Sequence, residues 1–216
     1  MYDPVRRGLT VDHPALQASG GRLPGWSSWL EESLKAVGLG LVGLCIITYL
    51  DIWAYQAINR LTFWAGAGTV GARSTPGFRY SPGQSIGWLE IPRLGISAIV
   101  AHGDDTRTLL RAVGHIPGTA FPGEGGNVGL AGHRDTFFRA LEGIETFDTI
   151  RLVMPDRVFA YRVVDIGVVR PSRVEILEPT PVPSLTLVTC FPFDYVGPAP
   201  YRYVVRAQEL RLEDDE

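Results

Sequence analysis

A thiolate is the strongest nucleophile this 216-residue chain could present, and it has two cysteines, Cys45 and Cys190. Cys45 lies inside the uncharged run AVGLGLVGLCIITYL (36–50), where a free cysteine behaves as a small hydrophobe and nothing ionisable is near enough to make a thiolate. A Cys45–Cys190 bridge would have to join an apolar membrane segment to the distal end of a globular domain within a Cα separation of about 4.4–6.8 Å, and is discounted. Cys190 is therefore read as a lone thiol. It ends the β-like run LTLVTC, in which Thr186, Val188 and Cys190 share one face, and Pro192 stops the strand two residues later.

Nucleophilic catalysis by cysteine needs an imidazole partner. Of the four histidines, His13 sits in the N-terminal tail, His102 ends a strand, and His115 follows a predicted helix in GHIPGT. His133 ends a strand in GLAGHRDTFF, flanked by Gly132 and the polar pair Arg134 and Asp135. It ranks first, with His115 second. An acyl-transfer pathway also needs a donor for the developing oxyanion, and arginine keeps its charge and presents several fixed N–H groups. Arg202 lies twelve residues after Cys190, so a hairpin would return it to the thiol; Arg206 shares its strand face. The bland alternatives are a buried structural thiol and solvated histidines and arginines.

The elements that must position these residues form a mainly β domain. Short β-like runs separated by turn residues predict strands at 87–91, 96–102, 127–131, 149–154, 158–169, 184–190 and 201–212. One helix is predicted at 106–113, capped by Asp104 or Asp105, with a short turn at 136–141. That density of strands implies a closed or nearly closed β-barrel over residues 83–212. Before it, residues 29–58 read as a single transmembrane signal-anchor with Trp26, Trp29, Trp53 and Tyr55 at the interfaces. Residues 1–28 read as a cytoplasmic tail, 59–82 as a Gly/Pro/Ser-rich flexible tether, and 213–216 as a solvated acidic tail. Arg6, Arg7, Arg22 and Lys35 precede the span and only Arg60 and Arg73 follow closely, which orients the chain as a single-pass protein of the cytoplasmic membrane with its domain outside.

A net charge of −3 gives no basic surface for nucleic acid. No G-x-S-x-G, H-E-x-x-H, C-x-x-C or phosphate-binding glycine loop occurs. Asp104 and Asp105 are better explained as caps than as metal ligands, so no cofactor is expected and calcium is not indicated. Lys35 is the chain's one lysine, leaving the domain no ε-amine to intercept an acyl-enzyme of its own.

The ordered motifs LEIPRLGI (89–96), VGHIPGTAFPGEGGNVGLAGHRDTFF (113–138), LTLVTCFPF (185–193) and APYRYVVRA (199–207) resemble the sortase family, with class D the most similar. The resemblance implies an eight-stranded β-barrel behind a membrane anchor. It implies Cys190 as nucleophile, His133 as acid/base and Arg202, which follows the cysteine loop as the family's arginine does, as oxyanion or substrate donor. Thr189 and His115 are expected to contribute to substrate binding. The implied reaction is thioester formation on an LPXTG-like sorting signal followed by transfer to an amine such as a cell-wall precursor. Residues 65–88 lack the Asp-Pro-aromatic lid of pilus-building members, which argues against pilin polymerisation. The alternatives are a papain-like thiol hydrolase, whose cysteine would precede its histidine at a helix start, and a tethered non-catalytic binding barrel.

Overall fold

The computed structural model describes residues 26–64 and 80–210. The tail before residue 26, the central part of the tether (65–79) and the acidic end lie outside the described residues. The chain divides into two units, Met1–Ile46 and Ile47–Glu216. In the first, helix α1 begins at Trp26 and presents Leu30, Leu34, Val37, Leu39, Leu41, Val42, Leu44 and Ile46 to the surroundings. The whole helix runs Trp26–Trp64, so residues 59–64, assigned to the tether by their sequence, are helical. The stretch Trp29–Leu61, with a mean hydropathy of 1.9, is long and apolar enough to cross a membrane.

The second unit is a closed barrel of eight strands: β1 (Ser85–Ile91), β2 (Ile96–His102), β3 (Val113–His115), β4 (Asn127–Ala131), β5 (Thr149–Val153), β6 (Val158–Val169), β7 (Ser184–Phe191) and β8 (Tyr201–Glu209). Their order around the barrel is β1-β2-β3-β4-β7-β8-β6-β5. The β2–β3 and β4–β7 pairs are parallel and the others antiparallel. Closure leaves no free sheet edge, and Leu89, Ile91, Val100, Leu130, Ile150, Leu152, Leu185, Leu187 and Val205 fill the interior with Phe138 and Tyr161.

Helix α2 (Thr106–Arg111) starts where Asp105 accepts hydrogen bonds from the backbone N–H groups of Arg107 (3.0 Å) and Thr108 (3.1 Å). It stops two residues short of the predicted end because Ala112 is already extended and leads into β3. That strand was not expected: three residues, Val-Gly-His, carry no periodicity, and their pairing with β2 and β4 is set by the barrel.

β1 and β2 are buried on both faces, which breaks the usual alternation. The outward side chains Trp88, Ile99 and Ala101 form a second cluster with Ala112, covered by Tyr55 of α1. β3 begins pairing only at Val100, and the Gln56 side chain accepts from the free Ile99 N–H (3.0 Å) while donating to the Arg111 carbonyl (2.5 Å). Arg111 makes a bidentate ion pair with Asp51 at 2.7 and 2.9 Å, and the Tyr55 hydroxyl donates to the Gly83 carbonyl. The last turns of α1 are thus part of the barrel's packing.

Two buried polar networks pin connections. Asn127 donates to the carbonyls of Ile176 (3.0 Å) and Glu178 (3.3 Å) and accepts from Thr186 (2.7 Å), which ties the β6–β7 connection to β4. Asp148, almost fully buried, accepts from the Glu145 N–H and both arms of Arg93, and the guanidinium holds its carboxyl below the usual carboxylate range.

His115 is fully buried, stacked on Phe121, with its Nε2 2.9 Å from the Ala120 carbonyl and its Nδ1 3.2 Å from Nδ1 of His102. Burial pushes its pKa below the ordinary histidine value, and neighbouring His102 acts the same way; the Ala120 carbonyl and Glu124 oppose the shift. A buried neutral imidazole binds fewer protons than the unfolded one. Stability is therefore full above about pH 6.5 and falls as pH drops through that value. A second loss begins below about pH 4, where the carboxyl of the unfolded chain takes up a proton while the native Asp148 still holds its charge, and it continues until pH falls through the depressed native value. Thermal melts of wild type and His115→Gln from about pH 7.5 to 5.5 check the first step. The variant is expected to be less stable at neutral pH yet nearly flat over that window; parallel curves would assign the slope to another histidine.

Candidate active site

Strand geometry assembles the candidate residues at one rim of the barrel. β4 and β7 are parallel, so their C-terminal ends, followed by His133 and carrying Cys190, emerge side by side. β8 returns antiparallel to β7 with Cys190 directly opposite Arg202, which puts their Cβ atoms about 4.5–5.5 Å apart on one face. The β7–β8 connection that makes this return contains a cis Phe191–Pro192 bond and Gly197 in a left-handed conformation (φ 109°). Cys190, His133 and Arg202 line one open pocket of about 340 Å³ together with Arg134, Asp135, Gly197, Pro198 and Ala199. The Cys190 thiol is unpaired and half-buried.

The backbone around His133 is held on both sides. The Gly132 N–H donates to the Val188 carbonyl (3.2 Å), and the Thr189 hydroxyl donates to the Gly132 carbonyl (2.7 Å). A Cβ on Gly132 would lie 2.7 Å from the buried Phe138 ring, so glycine is needed where this loop closes over the core. Arg202 donates through Nη1 to the carbonyls of Ala199 (3.2 Å) and Tyr201 (2.9 Å), which fixes its guanidinium at the pocket wall.

Thr189 and His115, expected to help bind substrate, do not line this pocket. Alternation along β7 turns Thr189 to the side of Leu185 and Leu187, away from Cys190, and its hydroxyl is already engaged by Gly132. His115 is sealed in the aromatic cluster described above. Arg206 lies opposite Thr186 and lines a different groove, with Asp165, Thr180 and Val182. Arg134 was read only as polar flank to His133, yet it is almost fully buried and donates into the β7–β8 connection. A further pocket of about 360 Å³, bounded by Tyr55, Asp105 and Arg107, contains no thiol or imidazole. Among the described residues no group of three or more His, Cys, Asp or Glu converges to hold a metal.

The sequence model of the Sortase domain matches residues 89–210, which include every strand from β2 to β8 and the end of β1. The chain belongs to the sortase family. It is 36% identical to Sortase D of Bacillus subtilis over 140 residues, covering 64% of this sortase and 71% of that one. It is also 35% identical to Sortase SrtE1 of Streptomyces coelicolor over 181 residues, 71% of this chain and 50% of that relative. Among solved structures, a Clostridium perfringens Sortase D5 transpeptidase superposes with a TM-score of 0.60 at 25% identity, covering 73% of this chain and 96% of that one. Sortase E1 of Streptomyces coelicolor, solved with a tripeptide in the active site, superposes with a TM-score of 0.54 at 32% identity, over 61% and 91% of the two chains. The closed eight-stranded barrel is the one the sequence resemblance implied, and class D is consistent with these relatives. Sortases are transpeptidases that act through cysteine, and this chain is a transpeptidase of that family.

Proposed function

We propose that this sortase is a membrane-anchored enzyme that cleaves an LPXTG-like sorting signal and transfers the acyl half to an amine at the cell surface. The observation that carries the reading is the convergence of Cys190, His133 and Arg202 on one open pocket. The Cys190 thiolate attacks the Thr–Gly carbonyl carbon, and the carbonyl electron pair moves to oxygen, where Arg202 donates hydrogen bonds. Collapse of the tetrahedral intermediate breaks the C–N bond, His133 protonates the leaving glycine amine, and a thioester remains on Cys190. His133 then takes a proton from an incoming amine, which attacks the thioester and expels the thiolate.

The relative solved with a tripeptide in its active site supports a peptide as the occupant of this rim. The apolar stretch Trp29–Leu61 supports a single-pass anchor in the cytoplasmic membrane. The excess of Arg and Lys before it supports an extracytoplasmic barrel. The test uses the full chain in detergent, a panel of quenched LPXTG-type peptides and a glycine-based amine, with products read by mass. Peptide cleavage with an amine-linked product is the expected result. Cleavage that yields only the free acid, whatever the amine concentration, would make the protein a thiol hydrolase instead.

A further inference from the structure

Arg134 follows His133 directly, yet its side chain is almost fully buried and reaches across to the segment after Cys190. Its Nη1 donates to the Pro192 carbonyl (2.9 Å), and its Nη2 donates to the carbonyls of Tyr195 and, at 3.3 Å, Gly197. The guanidinium also lies 6.0 Å from the centre of the Tyr195 ring. Its Nε makes no hydrogen bond and stands 3.6 Å from the exposed carboxylate of Asp135. Five residues further on, Arg139 donates to the Phe193 carbonyl.

A buried guanidinium satisfied mainly by neutral carbonyls is a poor way to stabilise a barrel, because desolvation offsets most of what the hydrogen bonds return. An apolar side chain would serve packing as well. What arginine adds is geometry: a rigid planar fork spans three carbonyls that no single strand pairing could hold. These carbonyls belong to the connection that carries the chain from Cys190 to Arg202, and the fork is rooted beside His133. Thr189, near the end of β7, donates to the Gly132 carbonyl just before His133 (2.7 Å).

We infer that Arg134 is a positioning residue that locks the β7–β8 connection onto the His133 loop and so sets the mutual placement of Cys190, His133 and Arg202. The inference rests on the proposed acyl-transfer reading for its kinetic consequence, and on the fold alone for its structural one. With the connection released, the barrel still folds and the peptide still docks, but the three groups are misplaced by a fraction of their reach. A displacement of about 1 Å suffices for about a 10²-fold loss in rate.

Arg134→Met and Arg134→Lys in the full chain test this, with peptide turnover and amide hydrogen exchange as readouts. Arg134→Met is expected to lower kcat about 10²-fold with KM little changed, and to speed exchange within residues 193–199 while β4, β7 and β8 keep their protection. Arg134→Lys keeps the charge without the fork and is expected to fall between. Should the Met variant fail to fold, the Lys variant carries both readouts. Unchanged exchange at residues 193–199, or unchanged kcat, overturns the inference. So does a loss of protection spread evenly over the barrel, which would make Arg134 a general stabiliser. Wild type inactive on every peptide would defeat the functional reading, and the exchange result would still decide the clamp.

Discussion

Cys190→Ala is expected to abolish both peptide cleavage and amine-linked product, a loss on the order of 10⁶-fold for a group that acts as the nucleophile. The fold should survive the change. Cys190 is half-buried at the end of β7, its backbone pairing with Arg202 does not depend on the side chain, and alanine removes only the sulfur. An unchanged melting temperature beside lost activity would place the effect on chemistry. A companion measurement is alkylation by iodoacetamide in a Cys45→Ala background, which isolates the second free thiol. Labelling at Cys190 that peptide substrate slows is expected, because pocket and thiol coincide. A Cys190→Ala protein that keeps about a hundredth of wild-type turnover would sink the thioester pathway, since a nucleophile's loss leaves far less.

The second large effect separates two arginines that the sequence places on one strand face. Arg202→Met is expected to cost about 10²–10³ in kcat, the range seen when one oxyanion donor is removed. Arg206→Met is expected to leave kcat within a few-fold, because Arg206 sits opposite Thr186 and lines another groove. Arg202→Lys should recover little, since an ammonium on a flexible stem cannot reproduce a guanidinium already held by the Ala199 and Tyr201 carbonyls. Steady-state kinetics of the three variants on one peptide checks this. Equal losses at 202 and 206 would mean that substrate spans both grooves and that the arginines bind it rather than stabilise the oxyanion.

Much of this molecule is legible in its sequence. β6 falls where alternation and turn residues put it, because a half-buried strand with period two writes its own pattern, and β2 and β4 fall where turn residues bound short apolar runs. Asp105 caps α2 as its residue type and place predict. Cys190, His133 and Arg202 could be put forward as candidates because a lone thiol before a proline, a glycine-flanked histidine and a short hairpin are local features, with the family resemblance favouring Arg202 over Arg206. The fully apolar run of α1 is equally local: nothing downstream alters its hydropathy.

What the sequence leaves open depends on which strands become neighbours. β3 carries no pattern, and only the slot between β2 and β4 makes three residues a strand. The outer face of β1 is covered by Tyr55 near the end of α1, on a helix that the sequence reads as a membrane anchor. Thr189 sits beside Cys190 in sequence and faces away from it, since alternation assigns faces but not what each face meets. His115 has the residue type of an acid–base group and is spent on a buried aromatic cluster. Arg134 has the composition of a surface residue and becomes the clamp between two loops 58 residues apart. The nature of the reacting groups is a property of side chains and is written in the chain. Their distances, solvation and supports are properties of pairings between distant segments, and only closure of the barrel decided them.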